Sequence, residues 1–117
     1  MNISIITFTE NGTKLAEKIR QAFVNTKMEE AKNLGISLSD WTRQQFAEKN
    51  AIVVIGACGI AVRMIAPFVS DKLSDSPVVV ADEAGTFVIP LLSGHKWKAH
   101  IFLQTHPQKK YGSHRLP

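Results

Sequence analysis

The chain has a single cysteine, Cys58, in 117 residues, so no internal disulfide can staple the fold. It has no long hydrophobic run: the longest, Ala51 to Val62, is 12 residues and ends at Arg63. A helix spanning a bilayer needs about 20 apolar residues, so this run is not a membrane span. The start, Met1-Asn2-Ile3-Ser4, lacks a basic stretch ahead of an apolar one and does not read as a secretory signal. Internal repeats and low-complexity tracts are missing too. Together these absences predict a cytoplasmic chain with no membrane partner. At 44% hydrophobic and 21% charged, the composition is that of a globular protein rather than a disordered one.

Acidic residues are lacking from one region only. The net charge of +4 suggests a nucleic-acid partner until the chain is divided. Residues 1–95 hold 9 Lys and Arg against 10 Asp and Glu; residues 96–117 hold 5 basic residues and no acid. Three of the four histidines, His100, His106 and His114, also fall in that final stretch, with no spacing suited to a metal. The folded part therefore lacks the basic stripe that binding to nucleic acid requires. No nucleic-acid partner and no metal ligands are expected.

Along the chain, Ile3, Ile5, Ile6 and Phe8 make a short β-branched and aromatic run that fits a buried strand. Thr9 to Gly12 suit a turn and helix cap. Leu15, Ile19, Ala22 and Phe23 then recur at helical spacing, with Lys14, Glu17, Lys18 and Gln21 between them. Residues 25–37 are polar and read as a connector. Ser39 is the expected cap of a second helix running through Trp41 and Phe46 to about Lys49. Ala51 to Gly56 is apolar on both faces, the pattern of a central strand in a parallel sheet. Gly59 to Ala66 reads as a helix, Val78 to Val80 as a strand, and Thr86 to Leu92 as a last strand. Pro90 inside the last one predicts an edge or a bulge, and Asp82 to Gly85 predicts a hairpin-like reversal. The expected architecture is a single three-layer α/β domain with a mainly parallel sheet, followed by an irregular C-terminal tail.

Ligands of open α/β sheets gather at the carboxyl ends of strands. Gly56-Ala57-Cys58-Gly59 joins a strand to a helix there, and free N–H groups at a helix start favour an anion. A tight turn with no ligand is the competing reading. Arg63, in an otherwise apolar stretch, either grips a carboxylate or pairs with Asp82, Glu83 or a helix end. Cys58 is a nucleophile or, as its lack of a nearby histidine favours, a small apolar filler. Asp82-Glu83 offers a general base or ordinary turn chemistry. Ser93-Gly94-His95 places a hydroxyl, a glycine and an imidazole after the last strand.

Gly56-Ala57-Cys58-Gly59-Ile60-Ala61-Val62-Arg63-Met64-Ile65-Ala66-Pro67 closely resembles the signature of the CbiG family of cobalamin biosynthesis. So does the block from Asp71 to His95, which contains Ser76-Pro77-Val78-Val79-Val80-Ala81-Asp82-Glu83-Ala84-Gly85 and ends in Ser93-Gly94-His95. The resemblance spans residues 1–95. It implies the activity of a cobalt-precorrin 5A hydrolase: opening of a δ-lactone and release of the extruded carbon with its methyl group as acetaldehyde. The implied substrate is a tetrapyrrole with many carboxylate arms that carries its own cobalt, so no cofactor is expected of the protein. On this reading Gly56, Ala57, Cys58, Gly59, Arg63, Ser93 and Gly94 hold substrate, and His95, Glu83 and Asp82 are the catalytic candidates.

The family continues after Ser-Gly-His with small residues, a helix, a linker and a second domain. Here Lys96-Trp97-Lys98-Ala99-His100 follows, and 96–117 becomes a divergent basic tail. Such a change is what a shifted reading frame produces, so a frameshifted or truncated product is expected. With the next helix missing, an apolar sheet face is predicted to promote self-association. Two further readings stand beside the hydrolase: a non-catalytic fragment that binds a corrinoid or a partner chain, and a nucleotide-binding module resting only on the glycine turn.

Overall fold

The computed structural model describes residues 2–70 and 76–92. Five strands form one sheet: β1 (Ile3–Thr7), β2 (Thr26–Glu30), β3 (Ala51–Ile55), β4 (Val78–Ala81) and β5 (Val88–Leu92). Three α-helices connect them: α1 (Glu10–Ala22), α2 (Leu38–Ala47) and α3 (Cys58–Ile65). The sheet order is β2-β1-β3-β4-β5. β1 pairs in parallel with β2 and β3, and β3 with β4; β5 alone runs antiparallel, beside β4. This is the expected α/β architecture with a mainly parallel sheet.

The sequence pattern explains the layers. β1 and β3 are buried at every residue, so each presents apolar side chains to both faces. On one face Ile3, Ile5, Val53 and Ile55 pack with Leu15, Ala16 and Ile19 of α1. On the other, Ile6, Ile52 and Val54 pack with Trp41 of α2 and with Ala61, Met64 and Ile65 of α3. Burying one such aliphatic side chain contributes about 1.5–3 kcal/mol, so the two-sided strands carry much of the stability.

Four local expectations are refined. Residues 26–30, expected to be part of a connector, form β2, an edge strand whose pairing with β1 runs from Ile3 opposite Thr26 to Thr7 opposite Glu30. The cap of α2 is Ser37 rather than Ser39: Ser37 has extended backbone and its Oγ accepts from the Asp40 amide at 3.0 Å. α3 begins at Cys58, one residue earlier than expected. β5 begins at Val88, because the reversal from β4 takes up Asp82 to Phe87. Gly85 in that turn has φ of +72°, a conformation that disfavours side chains. Pro90 sits on the edge strand, beside a register shift at Val78/Val79, as its missing N–H requires.

Among the described residues no helix is long and apolar enough to cross a membrane, and no group of three or more His, Cys, Asp or Glu is placed to hold a metal. The expectations for Ser93, Gly94, His95 and the tail concern residues outside those described.

Candidate functional site at the carboxyl edge of the sheet

Because β1 to β4 are parallel, their carboxyl ends share one edge. From β1 the chain passes by α1 to β2 on one side; from β2 it returns by α2, on the opposite face, to β3 on the other side of β1. The loops after β1 and β3 therefore diverge, which is the place where open α/β sheets form a crevice. Gly56 keeps the two loops close: a Cβ there would lie 3.1 Å from Cδ2 of Phe8.

Thr9 is the residue that organises this edge. With extended backbone it caps α1, and its Oγ1 accepts from the Gly12 amide at 2.9 Å. The same hydroxyl donates to Oε2 of Glu83 at 2.6 Å, across 74 positions of sequence. The cap of α1 is thereby tied to the β4–β5 turn. Glu83 is exposed, and it shares a cavity of 250 Å³ with Asn11, Lys14, Leu15, Lys18 and Ala84. The two ammonium groups beside a carboxylate make a rim suited to an acidic ligand.

A second polar chain lies toward β2. Thr7 Oγ1 is 2.9 Å from Thr13 Oγ1, which is 3.1 Å from Oε2 of Glu30. With Phe8, Thr9, Glu10 and Lys32 these residues line a smaller cavity of 110 Å³.

The expected site residues divide on inspection. Gly56, Ala57, Cys58 and Gly59 do lie at this edge, at the start of α3. The amides of Cys58 and Gly59 have no hydrogen-bond partner among the described residues, as an anion-accepting helix start requires. Cys58 is exposed, so it is not the small apolar filler that the lack of a nearby histidine favours. Asp82 is committed to its turn: Oδ1 accepts from the Phe87 amide at 2.7 Å, and its carbonyl accepts from Gly85 at 2.9 Å. Glu83 is the member of the carboxylate pair that faces the cavity.

Arg63 is not brought together with Glu83. It is exposed in the last turn of α3 and makes no ion pair among the described residues. It lines a separate, more apolar groove of 330 Å³ with Leu38, Ser39, Ile60, Met64 and Pro67, on the α2 and α3 face. Glu83 and α1 belong to the other face. Sequence reading missed Thr9, Thr13, Glu30, Lys14 and Lys18 as site residues. The two lysines carried a usable signal, a spacing of four on the polar side of an amphipathic helix; the threonines carried none.

Comparison with known proteins places the chain. Residues 40–104, more than half of it, match the family described as cobalamin synthesis G N-terminal. The chain belongs to this family. The matched stretch takes in α2 from Asp40 onward, α3, β3 to β5 and the Ser93-Gly94-His95 segment, and extends past His95. The cobalt-precorrin-5A hydrolase of Salmonella typhimurium is 40% identical over 101 residues, covering 80% of this chain and 29% of that protein. The cobalt-precorrin-5A hydrolase of Priestia megaterium is 29% identical over 105 residues, covering 79% and 28%. The chain thus spans less than a third of the length of these curated relatives. A crystal structure of a cobalamin biosynthesis protein G homolog from Sulfolobus solfataricus superimposes with a TM-score of 0.64 at 24% identity, covering 89% of this chain and 33% of that one. That likeness shows that this cobalamin synthesis G N-terminal member shares the fold of the homolog.

Proposed function

We propose that this domain acts in cobalamin biosynthesis by the anaerobic route, in hydrolytic opening of the δ-lactone of cobalt-precorrin 5A with release of acetaldehyde. The name of the Salmonella and Priestia relatives supports the substrate class. The observation that carries the assignment to a site is the Thr9–Glu83 hydrogen bond, which holds a carboxylate beside two lysines at the carboxyl edge of the sheet.

On this reading Lys14 and Lys18, with the Cys58 and Gly59 amides that lack a partner among the described residues, receive carboxylate arms of the macrocycle. Glu83 takes a proton from water as the water oxygen attacks the lactone carbonyl carbon; the ring C–O bond breaks and its oxygen leaves with the electron pair. That oxygen becomes the carbonyl of acetaldehyde as the bond from its methyl-bearing carbon to the macrocycle breaks, and the macrocycle keeps that electron pair and takes up a proton. His95 serves as the donor or base that the turn carboxylate does not supply, and Ser93 and Gly94 hold substrate beside it. Asp82 supports Glu83 by fixing the turn. Arg63 takes no part in the Glu83 cavity; as a substrate contact it serves an outlying arm on the α3 side.

The alternative reading is binding of a corrinoid or a partner chain without turnover. Incubating the purified chain with cobalt-precorrin 5A separates the two. Hydrolysis predicts acetaldehyde in proportion to macrocycle consumed. Saturable corrinoid binding with no aldehyde supports the second reading, and neither signal refutes both.

A further inference from the structure

A cavity of 370 Å³, larger than either one at the carboxyl edge, opens between the edge strand β2, the start of β1 and α2. Its walls include Ser4, Trp41, Gln45 and Asn50, all of them more than nine-tenths buried. Ser4 interrupts the apolar run of β1 on the α2 face and donates from its Oγ to Oε1 of Gln45 at 2.6 Å. Nδ2 of Asn50 donates to the same oxygen at 2.8 Å and to Oε1 of Glu48 at 3.1 Å. Two donors on Oε1 fix the Gln45 amide with its Nε2 group unused.

Three polar groups of these buried lining residues are thus unmatched among the described residues: Nε2 of Gln45 and Nε1 of Trp41 as donors, and Oδ1 of Asn50 as an acceptor. Buried polar groups in folded proteins are nearly always hydrogen-bonded, so a wall with three unmatched ones is complementary to something that supplies partners. The rim carries Lys27 against Glu29 and Glu48, one negative charge in excess.

We propose that this cavity binds a small neutral molecule with a carboxamide edge, or an equivalent carbonyl next to an N–H. The ligand carbonyl accepts from Gln45 and Trp41, and its N–H donates to Asn50. A carboxylate of the same size lacks the donor for Asn50 and meets the acidic rim, so it is discriminated against. The volume falls in the range of small-molecule sites. The cavity shares no lining residue with the Glu83 cavity, and the proposal stands apart from the hydrolase reading.

The test uses the full chain with Trp97→Phe, which leaves Trp41 as the one indole of the two in the sequence. Propionamide and propionate are titrated while Trp41 fluorescence and the side-chain N–H resonances are followed. Propionamide is expected to give a saturable response with the Trp41 indole and Gln45 amide shifting in step. Propionate is expected to bind at least about tenfold more weakly, and Gln45→Leu to weaken propionamide by about tenfold or more. A non-saturating response, equal affinity for the two probes, or an unaffected Gln45→Leu variant overturns the proposal. Should that variant fail to fold, the Gln45 amide of the parent decides: unmoved at propionamide saturation, it overturns the proposal as well.

Discussion

Glu83→Gln is expected to lower acetaldehyde release by about 10²–10⁴-fold, the usual contribution of a positioned general base. The change is nearly isosteric. The Thr9 hydroxyl, now 2.6 Å from a carboxylate oxygen, can donate equally well to the amide oxygen, so the β4–β5 turn keeps its tie to the cap of α1. What the amide cannot do is take a proton from water. Corrinoid binding should therefore stay within about threefold while turnover collapses, the pattern of a group used in the transition state rather than in the ground state. Parallel titration of the corrinoid absorbance and assay of aldehyde check both halves. Equal loss of binding and turnover would reassign Glu83 to holding substrate.

The second large effect is on stability. Ile5→Ala should destabilise the domain by about 2–5 kcal/mol, read from chemical denaturation. Ile5 is fully buried in β1, paired with Met28 on one side and Val53 on the other, and it lies in the cluster that α1 covers. Removing its outer carbons leaves a cavity that a strand hydrogen-bonded on both edges cannot collapse to fill. Against a typical total of about 5–15 kcal/mol, such a loss is a large fraction. Val24→Ala, at a residue 83% exposed, is the control and should change stability by less than about 0.5 kcal/mol.

The two changes also mark how far the sequence carries. β1, β3 and β4 are legible because a strand covered on both faces is largely apolar, Ser4 and Thr7 of β1 aside, and α1 because its stripe repeats at helical spacing. β2 is not. Thr26-Lys27-Met28-Glu29-Glu30 offers one apolar residue, Met28, and its strand conformation comes from pairing along β1 rather than from its own composition. The boundary of α2 turned on which of two serines accepts from the Asp40 amide, a choice that composition leaves open.

The site was legible only in part. The strand-to-helix glycines and the turn carboxylates announce a carboxyl edge, and both lie there. Which carboxylate is free depends on Oδ1 of Asp82 being held by the Phe87 amide, a detail of turn closure. The Thr9–Glu83 contact joins residues 74 positions apart, and no local pattern encodes it. Arg63 shows the converse. Its place near Gly59 suggested a shared pocket, but it lies in the last turn of α3, beside α2, on the far face of the sheet from Glu83.

Resonance mapping of the isotope-labelled chain with cobalt-precorrin 5A tests most directly whether the macrocycle sits at the carboxyl edge. The account predicts that the first amides perturbed are those from Thr9 to Lys18, from Gly56 to Gly59, and at Glu83 and Ala84. Perturbation centred instead on Leu38, Ser39 and Met64, with Thr9 and Glu83 unmoved at saturation, would contradict it.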